Sequence, residues 1–145
     1  MVEVQVATKF HGTMDVRPED FILLEHPILG FPEAKRFILY PHPNSPFMYF
    51  QSVDLPTLCF IVIDPLVVVR DYQVPPEDVP DLGPPEEWAM LCLCTMDKRQ
   101  VTVNLRSPVV INKNTRRGGQ YVLTVPYPMQ FPIWQEAAVD AGVDP

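Results

Sequence analysis

The chain is 145 residues long, enough for one domain around one core, and 18 of its residues are proline, a density that breaks long helices. Acidic side chains outnumber basic ones 18 to 11, and the resulting charge of −7 works against binding a phosphate backbone while suiting a basic protein partner. With 47% hydrophobic residues global disorder is excluded, and no apolar run approaches the roughly 20 residues of a membrane helix.

Val2, Val4 and Val6 alternate with Glu3, Gln5 and Ala7, which predicts a first strand within residues 1–10. His11-Gly12 is a turn signal and Thr13 to Val16 the return strand. Phe21 to Leu24 is a short apolar run, residues 26–32 read as a loop, and Arg36 to Tyr40 as the next strand. Beyond a stiff turn at 41–46, Phe47 to Ser52 is predicted as a strand with Phe47, Tyr49 and Gln51 on one face and Met48, Phe50 and Ser52 on the other. Leu58 to Ile63 is continuously apolar, the pattern of a central strand buried on both faces. Asp64-Pro65 ends it, and Leu66 to Val69 is predicted as a further short strand.

Pro75 to Glu87 carries five prolines and allows at most a helical turn at Pro76 to Leu82, because proline is tolerated at a first helical position. Trp88 to Met96 reads as a long strand, Asp97 to Gln100 as its hairpin loop, and Val101 to Leu105 as the return. Val109 to Asn112 and Gln120 to Val125 complete the series. Short strands at close spacing, with no helical pattern of 10–15 residues between them, predict an all-β fold: a small antiparallel, barrel-like domain with short proline-rich loops. That domain is expected over residues 1–127, with 128–145 as a C-terminal tail holding a short helix at Glu136 to Ala141.

No catalytic, metal or cofactor pattern emerges. His11, His26 and His42 all stand in predicted turns, without metal-ligand spacing. Cys92 and Cys94 share one strand face beside leucines, which favours packing over redox chemistry. Asp54, Asp64 and Asp71 sit at strand ends, where aspartate accepts backbone hydrogen bonds. A small-barrel hydrolase using these carboxylates or a loop histidine is the enzyme alternative. Gly118-Gly119 reads as a hairpin turn admitting positive φ. Asn104 is either a scaffold hydrogen-bonding residue or a surface contact. Arg106, Lys113, Arg116 and Arg117 form the tightest basic cluster, a solvated loop or a docking site, with direct RNA binding as a further alternative. Among the aromatics, Phe31, Phe47 and Tyr72 are candidate interface anchors. Three cysteines, and a start at Met1-Val2-Glu3-Val4 without a basic then apolar leader, lead to the expectation of a reduced, cytoplasmic protein.

The run Val103-Asn104-Leu105-Arg106-Ser107-Pro108-Val109-Val110-Ile111-Asn112, followed by Arg117-Gly118 and Gln120, resembles the signature of the flagellar assembly factor FliW family. Gly30-Phe31-Pro32, Arg36-Phe37, Phe50-Gln51-Ser52, Asp54-x-Pro56, Phe60, Asp64-Pro65 and Tyr72 agree in order, so that the resemblance spans roughly residues 3–127. It implies a non-enzymatic, cofactor-free barrel-like protein, monomeric when free. Its implied partners are CsrA, a small dimeric RNA-binding regulator of flagellin translation, and flagellin itself, with no nucleic acid or membrane. The partner contacts expected on this basis are Phe31, Phe47, Tyr72, Asn104, Arg106, Arg116, Arg117 and, in the tail, Glu136, Asp140 and Asp144, whose spacing of four would place them on one helix face. The chain departs from the family pattern at Ile28-Leu29, where a glycine and a proline are usual, and in its proline-broken acidic insert after Tyr72.

Overall fold

The computed structural model describes residues 2–135. Its first hairpin pairs β1 (Val4–Ala7) with β2 (Thr13–Val16) in a sheet of its own. The main sheet is built from β3 (Ile22–His26), β4 (Arg36–Pro41), β5 (Phe47–Ser52), β6 (Cys59–Ile63), β7 (Trp88–Met96), β8 (Gln100–Val103), β9 (Val109–Asn112), β10 (Arg117–Gln120) and β11 (Phe131–Gln135). Their order is β11-β8-β7-β6-β5-β4-β3-β10-β9, and β9 also pairs with β7, which curls the sheet into a ring. The nine residues of β7 make this closure possible. Trp88 to Leu91 pair with β9, Cys94 to Met96 pair with β8, and Cys92 to Cys94 pair with β6. The pairing of β3 with β10 is parallel and the others are antiparallel.

Strand alternation decides what fills the ring. Ile22, Leu24, Phe37, Phe50, Val62, Leu91, Val109 and Ile111 form its interior, with Phe37 and Phe50 stacked at a centroid distance of 4.2 Å. Burying each such ring removes apolar surface worth about 1.5–3 kcal/mol. Three segments cover the outside. The β1–β2 hairpin places Val6 and Val16 on Ile38 of β4. Val79 and Leu82, from the proline-rich segment 75–87, pack with Trp88, Val110 and Tyr121. Tyr72, Leu105 and Leu123 pack on Ile63, Cys92 and Val103.

Several elements differ from the sequence-based expectation. Leu66 to Val69 was predicted as a strand, but Pro65–Val68 is a single helical turn, α1. The Asp64 carboxylate accepts from the Leu66 N–H at 2.9 Å, and Pro65 at the first helical position has no N–H to lose, so local capping overrides the β-branched composition. The turn predicted over Pro76 to Leu82 is a 3₁₀ turn of Pro76–Asp78 only.

The last predicted strand, Gln120 to Val125, lies earlier, at Arg117–Gln120, and Gly118-Gly119 are inside it rather than in a hairpin turn. The positive φ belongs to Arg116, at 61°. The glycines answer a different need. A Cβ on Gly118 would lie 2.2 Å from the Val110 carbonyl oxygen, and one on Gly119 would lie 2.6 Å from the His26 Cβ. Finally, Phe131–Gln135, within the expected tail, forms β11 along β8, and Phe131 and Ile133 pack against the outer cluster. The helix expected at Glu136 to Ala141 lies outside the described residues.

Candidate partner-binding surfaces

The polar residues of the sequence signature are engaged within the scaffold. Asn104 Oδ1 accepts from the backbone N–H groups of Arg106 and Ser107, both at 3.1 Å, and Arg106 Nε donates to the Leu123 carbonyl at 2.7 Å. Asn112, 4% exposed, is fully partnered. Its Oδ1 accepts from the N–H of Asn114 and Thr115, and its Nδ2 donates to the Leu82 carbonyl and Glu87 Oε1, tying the proline-rich segment to β9. Tyr72, also 4% exposed, donates its hydroxyl to the Leu105 carbonyl at 2.7 Å and stacks on Tyr127. So placed, the Tyr72 side chain is engaged within the scaffold.

Arg116 Nη2 donates to the Asp20 carbonyl at 2.9 Å, and Arg117 pairs with Glu25 on β3. The basic turn is therefore partly neutralised by its own neighbours. Phe31 is half-buried, edge-on to Phe60 at 5.4 Å. The nominated residues that lie within the described region thus do not form one patch. Tyr72, Asn104 and Arg106 meet around Leu105 and Leu123, Phe47 packs against the same cluster, Arg116 and Arg117 lie beside β3, and Phe31 packs against the ring interior.

The carboxylates and histidines considered for an enzyme are likewise dispersed. Asp54 accepts from the N–H groups of Lys35 and Arg36 at 2.9 and 2.8 Å and from the Arg36 guanidinium at 3.0 Å. Partial burial opposes its charge, but these donors outweigh it and hold the carboxyl below its ordinary pKa of 3.8. Its stabilising effect is present above that ordinary value and is lost as pH falls through the depressed one. Asp54→Asn is therefore expected to lower the urea midpoint at pH 7 and to flatten the fall in stability between about pH 5 and 2. An unchanged acid limb would mean that this clamp does not set acid sensitivity.

His26 Nε2 lies 2.7 Å from Asp81, which also accepts from the Tyr121 hydroxyl at 2.8 Å; the His26 hydrogen bond is the main cause holding the Asp81 carboxyl below its ordinary range. Burial pushes the Cys92 and Cys94 thiols up to about 12 and Cys59 up to about 11, so all three act as small apolar groups. Among the described residues no group of three or more His, Cys, Asp or Glu is placed to hold a metal.

Two accessible features among the described residues bear on partner binding. The first is a groove of about 390 Å³ lined by Phe47, Ile63, Val67, Phe131, Pro132 and Ile133. Val67 and Trp134 are 60% and 52% exposed, and β11 ends at Gln135, the residue before Glu136. The structure therefore brings Phe47 of β5 together with Phe131, Pro132 and Ile133 of β11. The second is a cluster of rings around Tyr49. Tyr40 stacks on it at 5.0 Å, His11 meets it edge-on at 4.9 Å, and Phe10 and His42 lie at 5.7 and 5.6 Å. These rings come from the turn at 8–12, from β4 and β5, and from the turn after β4, so no periodicity within one element could have grouped them. The only signal was the Tyr40–Tyr49 cross-strand pairing, which requires the register.

A closed all-β ring with loops packed on its outer face, and with its signature side chains bonded internally, defines a scaffold protein whose accessible chemistry lies in surface patches. The profile of the family described as FliW protein matches residues 5–133. The chain is 34% identical over 127 residues to the flagellar assembly factor FliW of Geobacillus sp. (strain WCH70), covering 83% of this chain and 88% of that protein. It is 34% identical over 126 residues to that of Treponema pallidum (strain Nichols), covering 83% and 84%. A crystal structure of the flagellar assembly factor FliW superposes with a TM-score of 0.82 at 31% identity, covering 92% of this chain and 99% of the other. The chain belongs to the FliW family of flagellar assembly factors. Among the described residues no helix is long and apolar enough to cross a membrane.

Proposed function

We propose that this flagellar assembly factor acts by binding proteins in the cytoplasm, without enzymatic activity or cofactor. It captures CsrA and thereby relieves translational repression of flagellin, and it binds flagellin, which competes for it. The observation that carries this reading is the apolar groove lined by Phe47 of β5 and by Phe131, Pro132 and Ile133 of β11, in a chain of net charge −7. An apolar groove on an acidic protein suits a partner with basic, RNA-binding surface, and the overall charge of −7 repels RNA while attracting such a partner. Asp54 and Asp64, the carboxylates an enzyme would have used, hold backbone N–H groups instead.

Calorimetry of the purified chain with CsrA and, separately, with flagellin tests the reading; binding to neither overturns it. A stop after Gln135 leaves β11 intact, whereas one after Met129 would delete a strand of the sheet. The shorter deletion is expected to weaken CsrA binding by about tenfold or more, the scale of losing an interface hot spot, and to affect flagellin less. Equal loss for both would argue against separate surfaces.

A further inference from the structure

Tyr49 lies on the outer face of β5 and belongs to none of the three clusters that cover the ring. Its surroundings are preorganised. The buried Gln51, two residues on, accepts the Lys9 N–H at 2.9 Å and holds the turn at 8–12 against the ring. Thr8 Oγ1 donates to the Gly12 carbonyl and accepts from the His11 N–H, and His11 Nδ1 lies 3.1 Å from the Tyr40 hydroxyl. Phe10, in that turn, remains 52% exposed. Aromatic faces fixed in this way attract cations through the ring quadrupole. One ring already does so: Lys9 Nζ sits 5.3 Å from the Phe10 centroid. Tyr40 also lines a neighbouring groove of about 340 Å³ that holds the acids Glu3, Asp15 and Asp20 together with Arg17 and Arg116.

We propose that the platform of Phe10, His11, Tyr40, His42 and Tyr49 is a binding site for an arginine side chain presented by a basic protein partner. The planar guanidinium is weakly hydrated and stacks on tyrosine, while the chain's net charge of −7, and the excess of Glu3, Asp15 and Asp20 over Arg17 and Arg116 in that groove, favour a cationic occupant. A lysine ammonium, compact and strongly hydrated, fits less well. The identity of the partner rests on the protein-binding reading above; the arginine chemistry does not.

The test titrates hexa-arginine and hexa-lysine peptides into the full chain by calorimetry at about 0.15 M salt. The wild type is expected to bind hexa-arginine more tightly than hexa-lysine. Tyr49→Leu, which keeps apolar bulk without a ring, and Phe10→Ala, which alters a half-exposed side chain, should each weaken hexa-arginine binding roughly 2- to 30-fold. Tyr49→Phe should retain binding, and Lys9→Gln should strengthen it by freeing the Phe10 face. Equal affinity for the two peptides, or wild-type arginine affinity in both Tyr49→Leu and Phe10→Ala, would overturn the proposal and leave charge or plain hydrophobic contact as the driving force. Arginine-selective binding in a chain that binds neither CsrA nor flagellin would sustain this site and sink the function proposed above.

Discussion

Gly118→Ala is expected to destabilise the protein by at least about 3 kcal/mol, seen as a fall of roughly 1–2 M in the urea midpoint. The new Cβ would stand 2.2 Å from the Val110 carbonyl oxygen and 2.9 Å from the Ile111 Cα. Both are backbone atoms of β9, so no rotamer change relieves the clash, and β10 must move away from β9. That movement opens the ring, because β10 joins β9 to β3. A domain of this size has only about 5–15 kcal/mol in total. Val122→Ala, at a position 67% exposed, is the control and should stay within about 0.5 kcal/mol of the wild type. A Gly118→Ala protein as stable as the wild type would show that β9 and β10 are not in this close contact.

Gln51→Ala should cost about 2–4 kcal/mol and release the turn at 8–12. Gln51 is fully buried, and besides the Lys9 bond its Nε2 donates to the carbonyls of Ser52, Pro56 and Leu58. Truncation leaves carbonyls short of a donor in a site with little water, and it also opens a cavity. Part of the loss is offset, since the Leu58 carbonyl still accepts from the Ser52 N–H. Gln51→Leu separates the two causes: it restores volume but not hydrogen bonds, and it should recover less than half of the lost stability. Amide exchange at Lys9 should accelerate in both variants. Full recovery by leucine, with Lys9 still protected, would reduce Gln51 to a space-filler. Because Phe10 and His11 ride on the same turn, both variants should also bind hexa-arginine more weakly.

Gln51 illustrates how a residue can be recognised before it is understood. Phe50-Gln51-Ser52 counted as a family motif, but its place on the outward face of β5 said only that it was polar. Its role depends on Lys9, 42 positions away, and on the carbonyls of the turn after β5. Asn112 and Tyr72 follow the same pattern, with partners at Leu82 and Leu105. Motif residues of this kind satisfy the buried polar groups of the scaffold. They identify the scaffold while saying little about where a partner sits. Of the nominated contacts, Phe47, Arg116 and Arg117 each line a different groove, and Glu136, Asp140 and Asp144 lie outside the described residues.

The sequence by itself determined the all-β class, the bounds of β5, β7 and β9, and the division of β5 into two faces, since alternation and proline placement are local properties of the chain. It also carried the family signature. Only the tertiary structure decided that β7 reaches both β8 and β9, that β10 runs parallel to β3, and that Gly118 is a point of contact rather than a turn. The same holds for β11 and for the rings gathered around Tyr49. Alternation states which face of a strand is buried; it does not state which strand lies beside it. Neighbours are chosen by pairings between distant segments, whose closure cost and packing gain are settled only when the whole ring forms.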